Sequence, residues 1–159
     1  MRYTSRFLEM RYTSLATIFL TNVKVTIMKH YNVVAAVISH DDKFLCMQKG
    51  KTKFEYTSFK FEFPGGKIEL GETPQEALKR ELMEEMNYEI EVGDELITDN
   101  HTYPDFSITM TAFLCTADSP TFVMNEHVAF EWKKVEELKE LDWAAADVGI
   151  VEAIVNNDQ

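Results

Sequence analysis

The sequence predicts an α/β fold with helices set among the strands of a mixed sheet. Three observations carry this. A continuous apolar, β-branched run, Val33–Ser39, is followed by a turn and a second apolar run, the pattern of a buried hairpin. A capped helix follows at Pro74–Met86, with more strand-like runs after it. Another amphipathic helix lies within Trp143–Asn156, near the end of the chain. The chain has 159 residues, which suggests one domain, and 45% hydrophobic content is enough to bury a core.

The first 27 residues differ from the rest. Met1-Arg2-Tyr3-Thr4-Ser5 recurs as Met10-Arg11-Tyr12-Thr13-Ser14. Residues 1–27 read either as an extension outside the domain or as an extra strand over Thr17–Ile27. The domain is expected over 28–159. Val33–Ser39 and Phe44–Gln48 flank a turn at His40-Asp41-Asp42-Lys43. Lys49–Lys60 is a polar loop, and Lys60–Phe63 a short strand entering Pro64-Gly65-Gly66. After the helix come strand segments in Glu89–Asn100, a long strand at Phe106–Thr116, and a strand at Val128–Lys133. Val148, Ile150, Val151 and Ile154 are the expected buried side of the last helix.

Formal net charge is −11. That disfavours nucleic acid and anionic membrane as partners, since no basic face neutralises phosphates. A nucleotide stays allowed if a metal supplies positive charge. No apolar stretch approaches the roughly 20 residues of a membrane span. Cys46 and Cys115 lie in apolar, strand-like runs and read as buried free thiols, which suits the cytoplasm. A monomer or a homodimer is expected.

Gly66 to Tyr88 holds the chemistry. Thr73 is a good N-cap, Glu76 three residues on completes a capping box, and Pro74 suits the first helical position. Asn87 tolerates the left-handed conformation that ends many helices. At about 100° per residue, Leu78, Leu82 and Met86 form one stripe, with Met83 at its flank, and Ala77, Glu81, Glu84 and Glu85 form another. The second stripe puts three carboxylates about 5–6 Å apart. They repel unless a cation bridges them, and hard oxygen ligands suit Mg²⁺, with Mn²⁺ able to substitute. The alternative is a solvated acidic face. Arg80 has Glu76 and Glu84 as its i−4 and i+4 neighbours, so it reads as an ion-pair partner as readily as a phosphate contact.

This segment resembles the Nudix box, G-x5-E-x7-R-E-U-x-E-E-x-G-U with U apolar, departing from it at Asn87 in place of the last glycine. The similarity runs on through Lys60–Lys67, Tyr103–Thr109, Asn125-Glu126-His127, Phe130-Glu131-Trp132 and Ala145–Val148, and it is to the MutT branch of the Nudix hydrolases. The resemblance implies an α/β/α sandwich and metal-dependent hydrolysis of nucleoside triphosphates to monophosphate and pyrophosphate. It implies Glu81, Glu84, Glu85, the Gly65 carbonyl and Glu126 as metal ligands, with Glu81 as first choice for the general base. Glu72 would support the site through water or the glycine loop. Lys49 and Lys67 would face phosphate.

Some roles stay open. Lys49 is either a phosphate-binding cation or a solvated strand end, and Glu126 either a ligand or a solvated loop residue. Asp147 matches the base-reading position, and would favour cytosine or oxidised guanine nucleotides over thymidine. It reads nearly as well as a helix N-cap. Tyr103 has the spacing of a tyrosine in dinucleoside polyphosphate hydrolases, although its Tyr-Pro-Asp context fits the MutT branch better. A non-catalytic nucleotide sensor is the remaining alternative, and the intact acid set argues against it.

Overall fold

The computed structural model describes residues 27–157. The repeated Arg-Tyr-Thr-Ser and all of the optional strand Thr17–Ile27 except Ile27 lie outside the described residues.

Seven strands form one mixed sheet. Strand β1 (Lys29–His40) turns through Asp41 and Asp42 into β2 (Lys43–Gln48). Both turn residues take positive φ, 49° and 58°, as a tight two-residue hairpin turn demands, and aspartate tolerates it. The two strands then part. Only Ser39 and His40 of β1 pair with β2. Further back on the same edge, Val33–Ala35 pair with β4 (Gly65–Lys67), while Met47 and Gln48 of β2 pair with β3 (Phe61–Glu62). The segment from Phe61 to Lys67 is thus wedged between the hairpin strands. The Pro64 carbonyl at its middle accepts from Ala36 N at 2.8 Å.

Helix α1 (Pro74–Met86) spans the expected residues. Thr73 and Glu76 form the capping box, and Asn87 ends the helix in the left-handed region at φ 46°. Leu78, Leu82 and Met86 are fully buried, each stabilising the fold by about 1.5–3 kcal/mol. Ala77 is buried with them rather than lying on the acidic face, and Met83 is exposed. After α1 come β5 (Glu91–Thr102), β6 (Phe106–Thr116), β7 (Ala129–Lys133) and helix α2 (Val148–Asn157). β6 runs parallel to β1 from Lys29↔Phe106 to Ser39↔Thr116, and β5 and β7 are antiparallel to β6 and β2.

Alternation along β1 builds two core layers. Val34, Ala36 and Ile38 pack beneath α1, and Ala35 and Val37 pack with Ile150, Val151 and Ile154 of α2. The result is a helix–sheet–helix sandwich.

Several expected boundaries shift. Gly65–Lys67 is a strand rather than a loop, because β1 offers it an open edge. Glu91–Thr102 is one strand with register shifts at Glu95. The last helix starts at Val148. Trp143 instead bridges to Phe61, and Ala145–Asp147 form a separate 3-10 turn. Val148 is exposed, so the buried side of α2 excludes it.

Candidate active site

The loop before α1 folds onto the helix. Gly71 takes φ 90°, which suits glycine alone, and the chain reverses there. Glu72 returns over the helix and meets Arg80 side on. Arg80 Nε donates to Glu72 Oε1 at 2.6 Å and Nη2 to Oε2 at 2.9 Å. Nη2 also donates to the Lys67 carbonyl at 3.0 Å, and Nη1 to Glu81 at 2.9 Å and Glu84 at 3.4 Å. One guanidinium ties β4, the loop and the helix together. The expected Glu76–Arg80 pair is absent. Glu76 is held by the Thr73 backbone N–H and hydroxyl at 2.8 and 2.9 Å, so the cap takes the carboxylate that the pair would have used. The Arg80 guanidinium, followed by the Glu69 N–H, holds the Glu72 carboxyl down at about 2.

Gly65 and Gly66 make the close approaches. A Cβ on Gly65 would lie 2.0 Å from the Val34 carbonyl oxygen, and one on Gly66 would lie 2.2 Å from the Glu81 carboxyl carbon. The Glu81 carboxylate therefore lies directly on the glycine strand.

Glu85 and Glu126 line the same cleft, of about 1170 Å³, together with Gly65, Gly66, Lys49, Lys67, Tyr103 and Asp147. Glu85 Oε2 is buried and has no hydrogen-bond partner. Burial first, then the Glu126, Glu81 and Glu62 carboxylates, push the Glu85 pKa up to about 8. A buried, unpartnered carboxyl oxygen among other carboxyls presents the hard oxygen donors that suit Mg²⁺. Among the described residues no three His, Cys, Asp or Glu side chains already converge on one point.

Lys49 lies at the end of β2 with 41% of its side chain exposed and is held by an ion pair. Its Nζ donates to Glu62 Oε2 at 2.8 Å, and the Glu62 charge outweighs burial to raise the Lys49 pKa. Lys67 lies over the Tyr31 ring, 4.2 Å from its centroid. Tyr103 is buried, and its hydroxyl accepts from Ala146 N at 3.1 Å. That bond holds the turn before α2, and the ring packs against Tyr56, His101 and Phe106.

Asp147 is not a helix cap. It is 2% exposed, and Oδ1 accepts from Phe63 N at 2.9 Å, across to the wedge segment. Burial first, then the Glu62 charge, push its pKa up to about 8. Both causes favour the protonated carboxyl, which can donate as well as accept.

Three further residues shape the site, and the sequence carries them only inside quoted motifs. Asn125 N and Nδ2 donate to the Glu85 and Glu84 carbonyls at 3.1 and 3.2 Å, closing the C-terminal end of α1. His127 is buried, with Nε2 2.9 Å from Glu62 Oε1. Glu62 joins His127 to Lys49. Its one signal in sequence is a charge inside an aromatic strand, Phe61-Glu62-Phe63.

Comparisons with known proteins agree with this geometry. The NUDIX domain model matches residues 28–154. The chain is 33% identical to CTP pyrophosphohydrolase of Escherichia coli K12 over 128 residues, 80% of this chain and 93% of the relative. It is 38% identical to 8-oxo-dGTP diphosphatase of Proteus vulgaris over 90 residues, 55% of this chain and 78% of the relative. Among solved structures, the Escherichia coli ORF135 protein superposes with TM-score 0.69 at 32% identity, covering 81% of this chain and 91% of that one. The MutT Nudix protein of methicillin-resistant Staphylococcus aureus 252 gives TM-score 0.66 at 38% identity, covering 82% and 99%. The relatives are named as pyrophosphohydrolases and diphosphatases, the box is intact but for Asn87, and the fold is shared: this chain belongs to the Nudix family and is a Nudix hydrolase.

Proposed function

We propose that this hydrolase cleaves nucleoside triphosphates to the monophosphate and pyrophosphate with Mg²⁺, or Mn²⁺ in its place, and that it prefers cytosine or oxidised guanine nucleotides. The observation that carries the metal reading is the orphaned Glu85 oxygen amid Glu81, Glu62 and Glu126. Glu81, Glu84, Glu85, Glu126 and the Gly65 carbonyl would hold the ion. When bound, the metal would neutralise phosphate oxygens and lower the pKa of the attacking water. Glu81, seated on Gly66, would accept the proton of a water attacking the β-phosphorus. Arg80 and Glu72 keep the glycine strand and the helix in register for that transfer. Lys49 and Lys67 would meet the polyphosphate.

Asp147 would read the base. A neutral carboxyl matches an edge where an acceptor adjoins an N–H, such as cytosine N3 with its amine or guanine O6 with N1–H. Thymine O4 and N3–H match it as well, so the preference over thymine rests on the relatives' names. A panel of canonical, methylated and oxidised nucleotides with Mg²⁺, scored for pyrophosphate against orthophosphate release, tests the reading. Orthophosphate as sole product, or preferred hydrolysis of dinucleoside polyphosphates, would overturn it. The net charge of −11 supports a free nucleotide rather than nucleic acid as partner. The buried free thiols Cys46 and Cys115 support the cytoplasm.

Asp147→Asn is expected to change the ranking of bases while keeping turnover on the best substrate. It also carries a stability signature. The folded pKa of Asp147, about 8, lies above its ordinary 3.8, so between those values the folded chain keeps a proton that the unfolded chain has released. Stability from this group is full below about pH 4 and is lost as pH rises to about 8, at roughly 1 kcal/mol per unit. Urea unfolding of metal-free protein at pH 5 to 7 should show a shallower decline in Asp147→Asn. A reduced but remaining slope is expected, because Glu85 shifts the same way.

The catalytic unit is taken to start at Met28. A protein beginning there should keep kcat within about twofold and melt within a few degrees of the full chain. Loss of folding would make the preceding segment structural.

A further inference from the structure

Glu126 sits in an exposed loop, yet residues on both sides of it are anchored. On one side, Asn125 is hydrogen-bonded to the last turn of α1 through its N–H and its side-chain amide. On the other, His127 is inserted into the protein, 5% exposed at the side chain, and meets Glu62 Oε1. Glu62 is itself held by Lys49 on its second oxygen at 2.8 Å. Glu62 thus has one oxygen on His127 and the other on Lys49, and is the link between the strand and the Glu126 loop.

His127 Nδ1 is left buried and without a partner. A buried polar atom in that state costs about 1–3 kcal/mol. Histidine at this position makes sense through what Nε2 does, which is to bind Glu62.

We propose that Glu62 and His127 are positioning residues: their hydrogen bond holds the Glu126 loop to β3 and so sets the Glu126 carboxylate beside Glu85. Neither touches substrate in this assignment. It rests on the reading of Glu126 as a metal ligand and extends it to the residues that aim the ligand. Partners of this kind, one step removed from a metal, change metal affinity by about 10–100-fold when lost.

The test is Mn²⁺ binding by the full chain, read from the free-ion electron paramagnetic resonance signal, with melting temperature measured on metal-free protein. Glu126→Ala, Glu62→Gln, His127→Phe, and each of the latter two combined with Glu126→Ala are compared. Glu126→Ala, Glu62→Gln and His127→Phe are each expected to weaken Mn²⁺ by about 10-fold or more. His127→Phe removes the orphaned Nδ1 but leaves the buried Glu62 one partner short, so its melting temperature is expected to fall by a few degrees while the protein stays folded. In the Glu126→Ala background, neither second substitution should weaken Mn²⁺ further, since both act through Glu126. If Glu126→Ala leaves Mn²⁺ binding unchanged, the ligand reading falls and this proposal with it. If Glu126→Ala weakens binding but Glu62→Gln and His127→Phe do not, the proposal alone is overturned. Fully additive losses in the double variants also overturn it. Should His127→Phe fail to fold, Glu62→Gln, which keeps the shape and an acceptor, decides the same question.

Discussion

Glu81→Gln and Glu84→Gln are each expected to leave a folded protein whose turnover is down by at least about 10²-fold, the low end for lost acid–base or electrostatic help. The two residues share one face of α1 with Glu85, and all three lie within one turn. Glu81 also rests on the glycine strand, its carboxyl directly against Gly66. The amide keeps the size and loses the charge. In the metal-free state the stability change should be small. Each variant weakens a charge-assisted bond to Arg80 at 2.9 or 3.4 Å; for Glu81 relief of repulsion toward Glu85 offsets it, and for Glu84 the pair is exposed and contributes little. Circular dichroism and melting without metal check folding, and kcat at saturating Mg²⁺ checks the chemistry. Turnover within threefold of the unmodified chain in Glu81→Gln would remove that residue as proton acceptor.

The neighbouring glycines should fail in different ways. Gly65→Ala puts a methyl 2.0 Å from the Val34 carbonyl oxygen and 3.0 Å from the Ala35 Cα. Those atoms are backbone of the central strand, so β4 itself must move off β1. The expected loss is about 3 kcal/mol of stability, the upper end for overpacking, with turnover lost alongside. Gly66→Ala puts its methyl 2.2 Å from the Glu81 carboxyl carbon, the free end of a flexible side chain. The side chain swings away and the fold stays. Here melting should shift by only a few degrees while kcat falls by about 10²-fold, as in Glu81→Gln. Full turnover in Gly66→Ala would mean that the seat of Glu81 on the glycine is not used in the reaction.

Helix α1 was legible in the sequence because each of its determinants is local. Thr73 and Glu76 are three residues apart, Pro74 fixes its own φ, and Asn87 supplies its own left-handed turn. The stripe Leu78, Leu82 and Met86 follows from the helical period, and the stripe of strand residues Val34, Ala36 and Ile38 from alternation. The acidic face of α1 comes with them, since any helix over these residues brings Glu81, Glu84 and Glu85 together.

What the sequence left open depends on pairings across long stretches of chain. Arg80 chose Glu72, eight residues back, over Glu76, because the turn at Gly71 laid the loop across the helix and the cap had already taken Glu76. Asp147 reached Phe63, 84 residues away, and His127 reached Glu62, 65 away. Local pattern cannot rank such partners, because their distance is set by how β1 and β2 part and what enters the gap. Once Phe61–Lys67 is wedged there, Glu62 faces Lys49 and His127, and Phe63 presents its N–H to Asp147. The sequence by itself determined the elements, the acid set and the family resemblance. The parting of one hairpin, an energy spread over backbone pairs far apart in the chain, decided which polar groups were buried together and so which way Asp147 and Glu85 titrate.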